Sequence, residues 1–125
     1  MNVKNMNPSH NNPYDLLHQL GVSSNYKGFF HTAHAVTLCM QQQERLLLVT
    51  KWLYPDVAKH YGTNWRAVER NIRTASAIAW ERNRPLLEAL AQRRLKTRPR
   101  STEFLALLFH AVQPKELMKG GLEQP

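Results

Sequence analysis

Residues 54–80 read YPDVAKHYGTNWRAVERNIRTASAIAW, and the punctuation of this stretch decides the fold. Pro55 suits the first turn of a helix, where its missing N–H has no intrahelical partner to lose. A short helix is expected from about Pro55 to Tyr61, ended by Gly62. Thr63 or Asn64 caps a longer helix running to about Arg82. A short helix, a turn with glycine and a longer helix are the layout of a helix-turn-helix. Ala58 is small where the two helices would touch. Gly62 supplies the left-handed conformation of the turn. Val68, ten residues after Ala58, buries the second helix against the first. Helical hairpins of other functions carry these residue types at this spacing too.

The second helix adds a stronger signal. At about 100° per residue, Val68, Ile72, Ala75 and Ala79 gather on one side. Arg66, Arg70 and Arg73 gather on the opposite side, with Glu69 at their edge. A recognition helix must do both things: bury one stripe and present another. Arginine can grip the O6 and N7 of guanine with two hydrogen bonds, and glutamate can accept from cytosine N4. The alternative is a solvated surface helix on which Glu69 and Arg73 form an i,i+4 pair.

Working outward, a short helix is expected from Asp15 to Leu20, closed by Gly21, followed by a turn at Ser23, Ser24 and Asn25. A helix from about Lys27 to Gln42 turns Phe29, Ala33, Val36 and Met40 towards the core. Leu46, Leu47, Leu48 and Val49 form a buried-looking apolar run, assigned to helix because its neighbours are helical. Downstream, Pro85 opens a helix to about Arg94, and Lys96 to Arg100 form a basic loop. Ser101 or Thr102 caps a last helix with a wide apolar stripe: Phe104, Leu105, Leu107, Leu108, Ala111 and Val112. That stripe is wide enough to serve both the core and a neighbouring copy. The expected fold is all-α, a compact bundle of about six helices over residues 13–112 containing a helix-turn-helix. A polar leader over 1–12 and a tail over 113–125 are expected to be flexible.

Bulk properties narrow the function. A chain of 125 residues supports one domain with a modest core. With 42% hydrophobic and 21% charged residues it has a globular balance. No run approaches the roughly 18 apolar residues of a membrane span, and the polar N-terminus is no signal peptide. A cytoplasmic, nucleoid-associated location without a membrane partner is expected. Cys39 is the one cysteine; its apolar helix makes it core rather than nucleophile. The net charge of +8 and pI near 10.1 favour polyanions. Residues 51–100 hold 12 of the 17 Lys and Arg but 4 of the 9 Asp and Glu, so the excess sits in one stretch. That leaves nucleic-acid binding against a solvated basic face.

His31 and His34 have a helical spacing that can bind metal, but two ligands are not a site. No metal or cofactor is expected. Trp52 and Trp80 read as core aromatics, whereas Trp65 either packs or lies against a sugar-phosphate backbone. Arg93, Arg94, Lys96, Arg98 and Arg100 either touch phosphate or are solvated. Without a Gly-rich phosphate loop, nucleophile elbow or paired catalytic carboxylates, an enzyme is not expected.

The stretches HQLGV, YKGF, TKWLYPDVAKHYGT, VERNIRTASAIAW and STEF occur in order over roughly residues 14–112. In them the chain resembles the C-terminal effector domain of the master sporulation response regulator of endospore-forming bacteria. The resemblance implies a helical bundle whose helix-turn-helix reads short DNA boxes, often in tandem. It also implies that Glu69, Arg70 and Arg73 match base-contacting residues, and that the segment around Lys27 approaches phosphate. Two departures matter. The family has Arg directly before its Val-Glu-Arg, whereas here Ala67 stands there and the Arg sits at Arg66. The family's N-terminal receiver domain is not expected either, since about 13 residues precede the match.

The reading is therefore a sequence-specific regulator of transcription on double-stranded DNA. Arg66, Glu69, Arg70 and Arg73 are the expected base readers. Lys27, Lys59, Thr63, Asn64, Trp65 and Arg98 are the expected phosphate contacts. A second copy on tandem sites and an RNA polymerase sigma factor are candidate partners. The alternatives are a protein-interaction module of the same fold, for instance one that binds a sigma factor, and a DNA binder without sequence preference.

Overall fold

The computed structural model describes residues 12–113. Apart from Asn12 and Gln113, the expected leader and tail lie outside the described residues. Among the described residues the chain forms six α-helices and no strand. They are α1 (Pro13–Gln19), α2 (Lys27–Gln41), α3 (Tyr54–Tyr61), α4 (Trp65–Arg82), α5 (Arg84–Ala91) and α6 (Ser101–Ala111). None of them is long and apolar enough to cross a membrane.

Helix α4 is the axis of the bundle, packed against α2, α3, α5 and α6. Its Val68, Ile72, Ala75 and Ala79 are all buried, as the spacing predicts. They meet a core that includes Phe29 and Val36 of α2, Val57 of α3, and Phe104 and Leu108 of α6. Glycine makes the tightest crossing possible. A Cβ on Gly28 would stand 2.2 Å from the carbonyl oxygen of Asn71, so α2 approaches α4 backbone to backbone. At the other key turn Gly62 takes φ 67°. The chain then doubles back, and the Thr63 N–H donates to the Ala58 carbonyl at 2.9 Å, closing α3 with a left-handed residue.

Four expectations need correction. First, Leu46 to Val49 is not a buried helical run. The chain narrows to a 3₁₀ turn (Gln43–Leu47) and then widens to a π turn (Val49–Leu53). This change of pitch leaves Leu46 and Val49 against the core and turns Leu47 outward, 80% exposed, with Leu48 half exposed. Arg45 holds the connection, donating to the Leu38 carbonyl at 3.1 Å and to Asp56 at 3.2 Å. Second, Met40 is 42% exposed, because the last turn of α2 turns Cys39 rather than Met40 into the core.

Third, α5 ends at Ala91, not Arg94. Glu88 accepts from the Leu95 N–H at 2.8 Å, and Arg84 donates to the Leu95 carbonyl at 2.7 Å. These bonds fold the chain back, with Gln92 at φ 60° making the bend and Leu95 buried. Fourth, neither Ser101 nor Thr102 caps α6. Arg100 holds the cap position, and its N–H donates to Glu103 at 3.0 Å. Ser101 is already in the helix and turns inward. The α6 stripe is taken up by the chain's own core: Phe104, Leu105, Leu108 and Val112 are buried. Leu107 and Ala111 of the same stripe are partly buried.

Trp80 and the cysteine follow expectation more closely than Trp52, which is not part of the core cluster. Trp80 is half-buried against the core, with the Arg84 guanidinium 4.0 Å from its ring centre. Trp52 is half-buried, with Arg45 5.1 Å from its ring centre. Cys39 is buried, and that burial pushes its thiol up to about 11, partly opposed by Arg45.

Candidate nucleic-acid interface

The site grows from the start of α4. Asn64 caps the helix, its side-chain oxygen accepting from the Ala67 N–H at 2.9 Å. Capping fixes where the helix begins and therefore which way each arginine leaves it. Arg66 and Arg70 are exposed, and the Arg73 side chain is 51% exposed. The opposite side of the same helix is buried. Trp65 packs partly against the core. Arg66 lays its guanidinium 5.1 Å from the Trp65 ring centre.

Lys27, Thr63, Asn64 and Arg70 come together around one cleft, which Phe30, His31, Tyr61, Ala67 and Asn71 also line. The crossing at Gly28 makes this possible, since it brings the first turn of α2 onto α4. Two helix N-termini open here, and their partial positive charge adds to that of Lys27 and Arg70. The cleft therefore gathers positive charge from two side chains and two helix ends.

His31 forms the floor of this arrangement. It is buried, and its Nδ1 lies 3.3 Å from the Asn71 side-chain nitrogen. Burial first, then Lys27 and His34, hold its pKa below the ordinary histidine value. A neutral ring can accept the Asn71 N–H. The pairing of Asn71 with His31 was not legible in the sequence. The one available signal was Asn71's place at the border between the arginine stripe and the buried stripe.

Glu69 is engaged rather than free. Its two carboxylate oxygens accept from Arg73 at 3.1 and 3.3 Å. The Ser101 hydroxyl lies 3.1 Å from the same carboxylate. The i,i+4 pair expected of a solvated helix is thus present. Yet the Glu69 side chain is only 28% exposed and is tied to α6 as well.

Three predicted phosphate contacts stand outside the cleft lining: Trp65, Lys59 and Arg98. Lys59 lines a separate hollow with His34, Arg45, Asp56 and His60. There the His34 and His60 rings stack at 4.3 Å. Burial, then His60 and Arg45, lower the His34 pKa. Arg98 is exposed in the loop before α6. That loop is pinned to α4, because the buried Ser76 hydroxyl donates to the Pro99 carbonyl at 2.7 Å. In the same loop Arg94, Lys96 and Arg100 are exposed, and Arg93 lies 3.9 Å from Glu103. No group of three metal-ligating side chains occurs among the described residues.

The family described as sporulation initiation factor Spo0A C terminal matches residues 14–112.

Proposed function

The chain belongs to the sporulation initiation factor Spo0A C-terminal family, a DNA-binding effector domain of a sporulation regulator, and from that premise we propose that it reads a specific duplex sequence. One observation carries the reading. Helix α4 buries one face in the core and holds Arg66, Arg70 and Arg73 out on the other, beside a cleft shared by Lys27 and Arg70. The exposed stripe enters the major groove, where Arg70 and Arg73 grip guanines. Lys27, Thr63 and Asn64 seat the adjacent phosphate and set the register. Trp65 flanks that phosphate, and Lys59 and Arg98 reach outlying ones.

Ala67 gives the proposal a sharper edge. It has no hydrogen bond to offer where the family carries an arginine, and Arg66 leans on Trp65 instead of replacing it. Discrimination at that one base pair weakens, while the positions read by Arg70 and Arg73 persist.

Selection of bound duplexes from a random pool tests the reading. An enriched motif is expected, with affinity falling by about 0.9 log units per neutralised phosphate per log unit of salt. No duplex binding at low salt overturns it. A second reading, DNA binding without sequence preference, draws support from the Glu69–Arg73 pair, which occupies two reading groups. It predicts strong, salt-dependent binding and no enriched motif.

A further inference from the structure

We infer that Ser101 is a positioning residue for base recognition: held by Tyr54, it fixes the Glu69 carboxylate, which in turn aims Arg73. The inference rests on the duplex-reading function above and goes beyond it by adding residues from two further helices. Three contacts make the relay. Tyr54 Oη and Ser101 Oγ lie 2.9 Å apart in the core. Ser101 Oγ is 3.1 Å from Glu69 Oε2. Glu69 then takes the Nε and one Nη of Arg73 at 3.3 and 3.1 Å.

Proton counting gives the relay a direction. An ionised carboxylate only accepts, so the single Ser101 proton goes to Glu69. Ser101 must therefore accept from Tyr54, whose phenol has one proton to give. Burial pushes the Tyr54 phenol up, opposed by its hydrogen-bonding contacts with Ser101 and Thr102, so it keeps that proton over the range in which DNA binding is measured. Each hydroxyl is used once as donor, and the chain ends on the charged pair.

The geometry at Arg73 shows what the relay does. Glu69 grips the Nε side of the guanidinium. The other edge, with both terminal nitrogens, keeps N–H groups that Glu69 does not use, on a side chain that is half exposed. That edge can meet guanine O6 and N7 together. A free Glu69 would let a half-exposed arginine swing among rotamers, and ordering it on DNA would cost affinity. Ser101 removes that freedom from α6, and Tyr54 anchors Ser101 from α3.

The test uses the full chain and a duplex selected by the wild type, with each base pair varied in turn. Ser101→Ala is expected to lose about tenfold in discrimination at the base pair read by Arg73, the scale of one hydrogen bond to a charged group. Affinity for random duplex and the salt slope should not change. Ser101→Thr, which keeps the hydroxyl, restores discrimination. In a Glu69→Ala background, Ser101→Ala adds no further loss. Unchanged discrimination in Ser101→Ala, a uniform loss at every base pair and on random DNA, or an equal loss in both backgrounds overturns the relay. If the wild type selects no motif at all, the duplex-reading function itself fails and takes the relay with it.

Discussion

Two regions carry most of the positive charge, and they hold it differently. On α4, Arg66, Arg70 and Arg73 leave one side of a helix whose opposite side is sealed in the core. In the loop between α5 and α6, exposed cations stand on irregular backbone rather than on one helix. Leu95 and Pro99 are buried between them, and Glu88, Arg84 and Ser76 bind the loop backbone at three points. The loop has a fixed path, but no helix aligns its charges. The helix gives its charges a shared direction. Base reading needs direction, because an arginine must present two donors to one base edge; phosphate attraction needs only charge nearby. Under the proposed function, the contrast gives reading to α4 and general attraction to the loop.

The most severe break in this contrast should come from Gly28. Adding a methyl in Gly28→Ala drives it into the Asn71 carbonyl, 2.2 Å away. Forcing α2 off α4 should cost about 3 kcal/mol, at the upper end of ordinary overpacking. Melting should fall by roughly 10 °C or more. An unchanged melting temperature would mean that α4 is not held by this crossing.

Next in size is Arg70→Ala, expected to cost about 1–3 kcal/mol on the selected duplex and much less on random DNA. Equal losses on both would reduce Arg70 to a phosphate-binding group and erase the distinction between helix and loop. Removing loop charge should act the other way. Lys96→Ala with Arg98→Ala should weaken binding to all sequences alike. The salt slope should shrink by about 0.9 for each phosphate that is no longer neutralised, with the selected motif unchanged. A changed motif would show that the loop also reads.

The smallest effect concerns pH. His31 and His34 are both held below the ordinary histidine value of 6.5 in the folded protein, chiefly by burial. The unfolded chain therefore binds more protons just below pH 6.5. Stability contributed by the neutral rings is complete above pH 6.5 and is lost as pH falls towards the lowered folded values. Melting temperatures between pH 7.5 and 5 should decline, and His31→Gln should flatten the decline. A pH-independent difference between the two proteins would refute this assignment.

Much of this was legible from local chemistry. Gly62, the Asn64 cap and the buried stripe from Val68 to Ala79 are where the periodicity of residues 54–80 puts them. Turns and helix faces are set within a few residues, so spacing reports them. Long-range partners escaped. Ser101 reads as a cap, yet its partners Glu69 and Tyr54 are 32 and 47 residues away. His31 and Asn71 meet across 40 residues. The Leu46–Val49 run failed for a different reason. Its composition suits burial, but the pitch of the connection, held by Arg45, decides which leucines face inward.

Cys39 offers a way to time the molecule's breathing. It is the chain's one sulfhydryl, and it sits 1% exposed on α2 with its thiol pushed up to about 11. The thiolate is the form that reacts, so an alkylating reagent finds almost no target while the bundle is closed. Labelling must wait for α2 to lift away from its neighbours. Its rate, followed by mass, becomes a clock for opening of the core. A ligand seated between Lys27 and Arg70 would stitch α2 to α4 and slow that clock, so occupancy of the cleft could be timed without a dye on the protein or the DNA.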